Sequence, residues 1–253
     1  MMAFAPVFQR PFSATFDRRA AVAAAASSLL TDLVSYWTLN ETSGTRNDSV
    51  GSNHLGVIGT VGSGAGKIGN AATFTRDAAN ALSVADNATL SVGDIDFTLA
   101  FWYYPATFDD WHNIVAKRGL TGGFGNEYYV ECPTTRRPYF GCQKADNSGP
   151  VVATWGSTIA ATNWCFVLCY HDATGDVIGI QINNGTAVTA SIVGGVRDAG
   201  QPFQIGGVSA FGKDYSVNGA VDECGFWKRL LTPAEKTALY NSGNGITYPF
   251  AGT

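Results

Sequence analysis

Charge is scarce in this chain. Asp, Glu, Lys and Arg make up 14% of its 253 residues, and the net charge is −4. Soluble domains usually carry about a quarter of such residues, and an acidic balance offers no electrostatic footprint for nucleic acid. Long apolar runs are missing as well, since none approaches the roughly 20 residues needed to span a bilayer. The three histidines, His54, His112 and His171, lie in separate segments, and none stands in a nucleophile motif. Gly62-Ser-Gly-Ala-Gly66 lacks the lysine-serine ending and following helix of a phosphate loop, so it reads as a flexible turn. Gly122-Gly-Phe-Gly125 reads as a loop.

The five cysteines, Cys132, Cys142, Cys165, Cys169 and Cys224, include no Cys-x-x-Cys pair, which argues against structural zinc. Their odd number leaves at least one unpaired or bridged between chains. Cys132 and Cys142 flank a turn from Pro133 to Pro138 and could be neighbours across it. Cys165 and Cys169 share one face of a strand, too far apart to bond, and are expected in the core.

What is present is glycine, 30 residues spread along the chain, together with 12% aromatic residues. From Leu33 onward the signals are short strands and turns. Trp164, Phe166, Leu168 and Tyr170 alternate with Cys165, Val167, Cys169 and His171, and Ile178, Ile180 and Ile182 line one face of the next strand. Asn184-Gly185 signals a tight hairpin. Val221, Gly225 and Trp227 are read as one face of a strand, with Asp222, Cys224 and Phe226 on the other. That strand leads to a helix with Thr232 as N-cap, Pro233 at its first position, Glu235 closing a capping box and Gly243 as C-cap. More than a dozen strands and one C-terminal helix predict an all-β fold: an antiparallel jelly-roll β-sandwich over 33–253.

Residues 1–32 differ, and are expected to form an N-terminal docking arm. Arg18-Arg19 and the following alanines faintly resemble a signal peptide, but without a leucine-rich centre, and the arm is expected to be retained. Phe4, Phe8, Phe12 and Phe16 recur every fourth residue, yet Pro6 and Pro11 argue against a continuous helix. The arm either docks on a partner or neighbouring subunit, or folds back on its own sandwich.

Several blocks, taken in order, resemble laminin-G-like jelly-roll domains of the concanavalin A-like superfamily. They are Val34-Ser-Tyr-Trp-Thr-Leu-Asn-Glu-Thr-Ser-Gly-Thr45, Asp48-Ser-Val-Gly-Ser-Asn-His-Leu-Gly56, Gly69-Asn-Ala-Ala-Thr-Phe74, Asp96-Phe-Thr-Leu-Ala-Phe-Trp102, Thr162-Asn-Trp-Cys-Phe-Val-Leu-Cys-Tyr-His-Asp172 and Gly219-Ala-Val-Asp-Glu223. The resemblance implies binding rather than catalysis. It also implies a calcium site joining Asp48 of the first loop to Asp222 of the last strand, with carbonyls of the Asp48–Asn53 loop as co-ligands. Val50 and Ser52 depart from the family's loop pattern. The alternative is that Asp222 bonds neighbouring backbone without metal.

The same superfamily contains glycoside hydrolases, which need two carboxyl groups flanking a scissile bond. Their Glu-x-Asp-x-x-Glu signature is absent. Glu127 and Glu131 share a strand face about 13 Å apart and are read as solvated. Asp222 and Glu223 are expected on opposite sheet faces, where they could not form a pair. The binding candidates are aromatic residues beside turns: Trp111 with its neighbour His112, Trp155, Phe211 and Tyr215. An indole face can stack on a sugar ring; the alternative is rim packing.

These readings converge on a non-catalytic binding or adhesion module within an oligomeric assembly. Its expected setting is a phage virion, as a decoration protein held to the capsid by the arm and presenting a glycan- or protein-binding surface. The alternative is a secreted carbohydrate-binding module or carbohydrate-active enzyme. A purely structural cement protein without ligand is a third possibility.

Overall fold

A computed structural model describes residues 23–76, 79–119 and 125–250. Phe4, Phe8, Phe12, Phe16 and positions 122–124 of the segment read as a loop lie outside them. Among the described residues, fifteen strands pair antiparallel in two sheets. The first sheet runs β13 (Val188–Ser191), β12 (Val177–Ile182), β11 (Cys165–Asp172), β6 (Phe97–Pro105), β15 (Gly219–Trp227), β4 (Asn70–Phe74) and β3 (Val61–Ala65), with β1 (Leu33–Trp37) also on β15. The second runs β10 (Pro150–Thr154), β9 (Tyr139–Gln143), β8 (Asn126–Cys132), β7 (His112–Arg118), β14 (Phe203–Ile205), β5 (Ala81–Val84) and β2 (Gly56–Ile58). This is the expected jelly-roll sandwich. No helix among the described residues is long and apolar enough to cross a membrane.

The main core lies between the sheets, and period-2 alternation decides who enters it. Cys165, Val167 and Cys169 of β11 face inward with Ile178, Ile180 and Ile182 of β12. The larger side chains of β11, Phe166 and Leu168, face outward and are covered by a second cluster with Leu29, Leu231, Leu239 and Phe250. The first sheet is therefore apolar on both faces, and short helices close its outer one.

Two helices do this. Helix α1 (23–28) precedes β1, and Trp227 Nε1 donates to Leu29 O at 2.7 Å just beyond it. Helix α2 (Pro233–Tyr240) has the expected Thr232–Glu235 capping box and Pro at its start. Glu235 also accepts from Ser28 Oγ at 2.6 Å and pairs with Arg229, so the capping carboxylate joins both helices. Its bonds to Arg229, Ser28 and Thr232 hold it down to about 2 although burial alone would raise it. The C-cap is Asn241, left-handed at φ 44, rather than Gly243, which belongs to the 3-10 turn that follows (Asn241–Gly243).

Four further sequence expectations are corrected. Gly62–Ala65 is not a turn but most of β3, paired with β4 from Val61↔Phe74 to Ala65↔Asn70; a small residue at every position carries no alternation to read. Cys132 and Cys142 are not neighbours, since Cys142 lies opposite Tyr128 and Cys132 opposite His112. All five cysteines are free and buried. Glu127 and Glu131 are buried rather than solvated. The fourth concerns β15.

On β15, Asp222 pairs with Trp102 and Gly225 with Ala100. Three residues advance on β15 for two on β6, which defines a β-bulge. Glu223, at φ 49, is the residue that lets β15 reset its alternation. Val221, Cys224 and Phe226 face the main core, whereas Gly225 and Trp227 follow Asp222 outward. Glu223 Oε2 accepts from Tyr36 Oη at 2.6 Å, and Tyr36 belongs to the outer cluster. Asp222 and Glu223 thus share one face, against the strict alternation expected of them.

Candidate functional site

The outer face of the second sheet gathers polar and aromatic side chains from three adjacent strands. Asn113 of β7 lies opposite Glu131 of β8, which lies opposite Tyr139 of β9. The next row is Ala116, Tyr129 and Gly141. Glu131 is held on all sides: Asn113 Nδ2 donates to Oε1 at 2.8 Å, Arg118 pairs with the same oxygen, and Tyr139 Oη donates to Oε2.

Rings extend this face in both directions. Trp111, 40% exposed, meets the ring of Tyr139 edge-on at 6.2 Å, and Tyr139 meets Tyr129 at the same spacing. The Arg118 guanidinium lies 4.5 Å from the Tyr129 ring and 4.7 Å from the Phe211 ring. Phe211 comes from the 3-10 turn Ser209–Tyr215 and packs on Tyr215 at 5.1 Å. The result is a continuous row: Trp111, Tyr139, Tyr129, Arg118, Phe211, Tyr215. Burial pushes the Tyr129 phenol up to about 12, so it is a neutral group at any ordinary pH.

Some polar atoms of this face lack partners. Arg118 Nε and Asn113 Oδ1 are buried without a hydrogen bond, one a donor and the other an acceptor. Such atoms cost about 1–3 kcal/mol each when left unmade.

Of the residues singled out from sequence, Trp111, Phe211 and Tyr215 reach this face. His112 does not. It is fully buried on the core side of β7, its Nδ1 hydrogen-bonded to Tyr103 Oη, its ring stacked on Phe108. Burial brings it down to about 4. Trp155 also lies apart, packed on the main core with its ring close to Gly185. Asn113, Arg118, Tyr129, Glu131 and Tyr139 were missed, although Glu127-Tyr-Tyr-Val-Glu131 does alternate polar and aromatic positions with inward Tyr128 and Val130.

Asp48 and Asp222, expected to share calcium, have separate partners. Asp48 accepts from the backbone amides of Tyr36, Val50 and Asn53 at 3.0, 3.0 and 3.1 Å. That donor set suits a carboxylate anchoring its own loop to β1. A calcium cage needs six to eight converging oxygens, and amide donors facing Asp48 do not fit one. Asp222 Oδ2 accepts from Ile68 N at 2.9 Å, while Oδ1 has no partner. No group of three or more His, Cys, Asp or Glu that could hold a metal occurs among the described residues.

The acidic pair on β15 is covered rather than presented. Tyr36, which bonds Glu223, is itself packed by Tyr248 at 5.2 Å and Phe250 at 5.1 Å. Burial lifts Asp222 to about 7; burial together with the neighbouring Asp222 charge lifts Glu223 to about 8.

Residues 76–235 match a laminin-G family model described as concanavalin A-like lectin/glucanases superfamily. No curated protein sequence matches the chain. Among solved structures, the binding domain of Paraclostridial Mosquitocidal Protein 1 superposes with a TM-score of 0.66 at 13% identity, covering 84% of this chain and 53% of that one. This chain therefore spans about half of that structure's length. Domain 4 of AbnA, a GH43 extracellular arabinanase from Geobacillus stearothermophilus, in complex with arabinotriose, gives 0.58 at 14% identity over 85% and 98%. The Ruminococcus gnavus IT-sialidase CBM40 bound to alpha2,3 sialyllactose gives 0.53 at 11% identity over 65% and 96%. At these identities the likeness is one of fold.

Proposed function

We propose, on the premise that the chain belongs to the concanavalin A-like lectin/glucanases superfamily, that it is a non-catalytic binding module. Its glycan ligand lies on the outer face of the second sheet. The observation that carries this reading is the aromatic row from Trp111 to Tyr215, open to solvent at Trp111. A sugar ring has an apolar C–H face for stacking. Its hydroxyls both donate and accept, and suit the polar groups that border an exposed indole. The saccharide complexes of two fold neighbours favour the same ligand class.

The carboxylates favour binding over hydrolysis. A glycosidase needs one acid and one base across an open cleft. Glu131 is tied to Arg118, Asn113 and Tyr139, and Glu127 to Lys117. Glu223 lies under Tyr36, and Asp222 is buried against the backbone of Gly66 and Ile68.

The proposal extends to display. The arm, with Phe4, Phe8, Phe12 and Phe16, anchors the module to a larger assembly such as a phage virion, as a decoration or adhesion protein. Its support is the composition of residues 1–20 and the clamping of α1, into which they lead, by Trp227 and Arg229.

A glycan array followed by calorimetry on wild type and Trp111→Ala tests the ligand. Loss of the exposed indole should weaken binding about tenfold; undiminished affinity rejects the face. Deleting residues 1–20 should abolish association with particles and leave glycan affinity unchanged. Retained association rejects the arm's role.

A further inference from the structure

The outer face of the first sheet carries a cavity of about 520 Å³, remote from the aromatic row of the second sheet. Its floor is low because β3 and its neighbours have almost no side chains there: Gly64, Ala65 and Gly66 on one side, Gly219 on the other. Gly219 begins β15 so close to β6 that a Cβ would stand 2.0 Å from Tyr104 O, so glycine is required. Beside this floor stand Tyr104 and Trp164, ring centroids 5.4 Å apart and planes inclined by 51°.

We propose that this cavity is a second saccharide site, selective for an uncharged pyranose. The volume lies within the range of small-molecule pockets, roughly 300–1,000 Å³. The tilted rings offer a surface for the C–H face of a sugar. Trp164 Nε1, Tyr104 Oη and Thr73 Oγ1 form no hydrogen bond with other described residues. Asn218 adds an amide, and β3, as an edge strand, turns part of its backbone N–H and C=O groups away from β4. The lining therefore has donors and acceptors for hydroxyl groups.

It has no charge. The lining holds no Asp, Glu, Lys, Arg or His, so a sialic acid carboxylate or a phosphate entering here would shed water and gain no cation in return. This sets the cavity apart from the face around Arg118. The inference does not rest on that face being a binding site.

The test is a titration of the full-length, isotope-labelled protein followed by NMR. The probes are methyl glucoside, methyl galactoside and N-acetylglucosamine, with sialyllactose as the anionic comparison. A neutral sugar should shift the Trp164 indole and the Gly64–Gly66 amides saturably. Trp164→Ala should weaken that binding at least tenfold. Ala65→Trp, at an exposed position, should block the cavity without touching the core and do the same, even where Trp164→Ala fails to fold. Trp111→Ala should change nothing at these resonances, so failure here and failure of the second-sheet site are told apart. The proposal is overturned by absence of shifts with all three neutral sugars, by shifts with sialyllactose alone, or by wild-type affinity in Ala65→Trp.

Discussion

The ring of Tyr129 lies across Gly141, its partner on the neighbouring strand, so closely that a Cβ on Gly141 would stand 2.4 Å from Tyr129 Cζ. The missing side chain lets the tyrosine lie flat on the sheet, where it takes Arg118 on one side and Tyr139 on the other. Gly141→Ala should lift the ring and break the aromatic row at its centre. We expect glycan affinity to fall about tenfold, with a stability loss of about 1–3 kcal/mol from overpacking. Calorimetry and thermal melts measure both; intact affinity would show that the row is not the ligand platform.

The acidic pair of β15 should govern stability on the alkaline side. Asp222 and Glu223 are raised to about 7 and about 8, from 3.8 and 4.5. Between these limits the folded protein holds protons that the unfolded chain has released. Their favourable contribution is therefore complete below about pH 4 and is lost as pH climbs through 7 and 8. Asp222→Asn with Glu223→Gln should flatten that decline and make the protein more stable than wild type at pH 9 by about 2–4 kcal/mol. Urea unfolding at pH 5, 7 and 9 gives the slopes. Equal slopes in both proteins would contradict it.

Lys117 is fully buried, 2.6 Å from both Glu127 and Asp86, and Glu127 is equally buried. Burial raises Glu127 despite the lysine. Lys117→Met would strand that carboxyl without a cation, and should cost about 3–5 kcal/mol. The double replacement Lys117→Met with Glu127→Leu should recover most of the loss, because neither charge then needs a partner. Chemical denaturation of the single and double variants tests this, and additive losses would argue against a coupled pair.

Calcium makes a further test. With Asp48 already served by three backbone amides, a chelator should leave the melting temperature unchanged. A bound ion at a hundred times its Kd would instead add about 2.7 kcal/mol. A rise of several degrees on adding calcium would restore the bridge between Asp48 and Asp222.

Much of the fold was legible because it is encoded locally. The strict alternation of Cys165–His171, the isoleucines of β12 and the Thr232–Glu235 box each act within a few residues, and each stands as read. The candidate site was legible in part. Trp111, Phe211 and Tyr215 stood out as aromatic residues beside turns. Tyr129, Tyr139 and Arg118 did not, because each belongs to a strand whose solvent face is chosen only by its neighbours.

By itself, then, the order of amino acids determined a two-sheet sandwich, its helix N-cap and the burial of Cys165 and Cys169, since period-2 patterning and side-chain capping operate at short range. Tertiary structure alone decided the rest. Cross-strand register set Asn113 beside Glu131 and Tyr129 over Gly141, and one extra residue in β15 turned Glu223 to the side of Asp222. β3 became a strand through its pairing with β4. Contacts between residues far apart in the chain depend on register and bulges, and those are settled when sheets pack, not by the identity of any one residue.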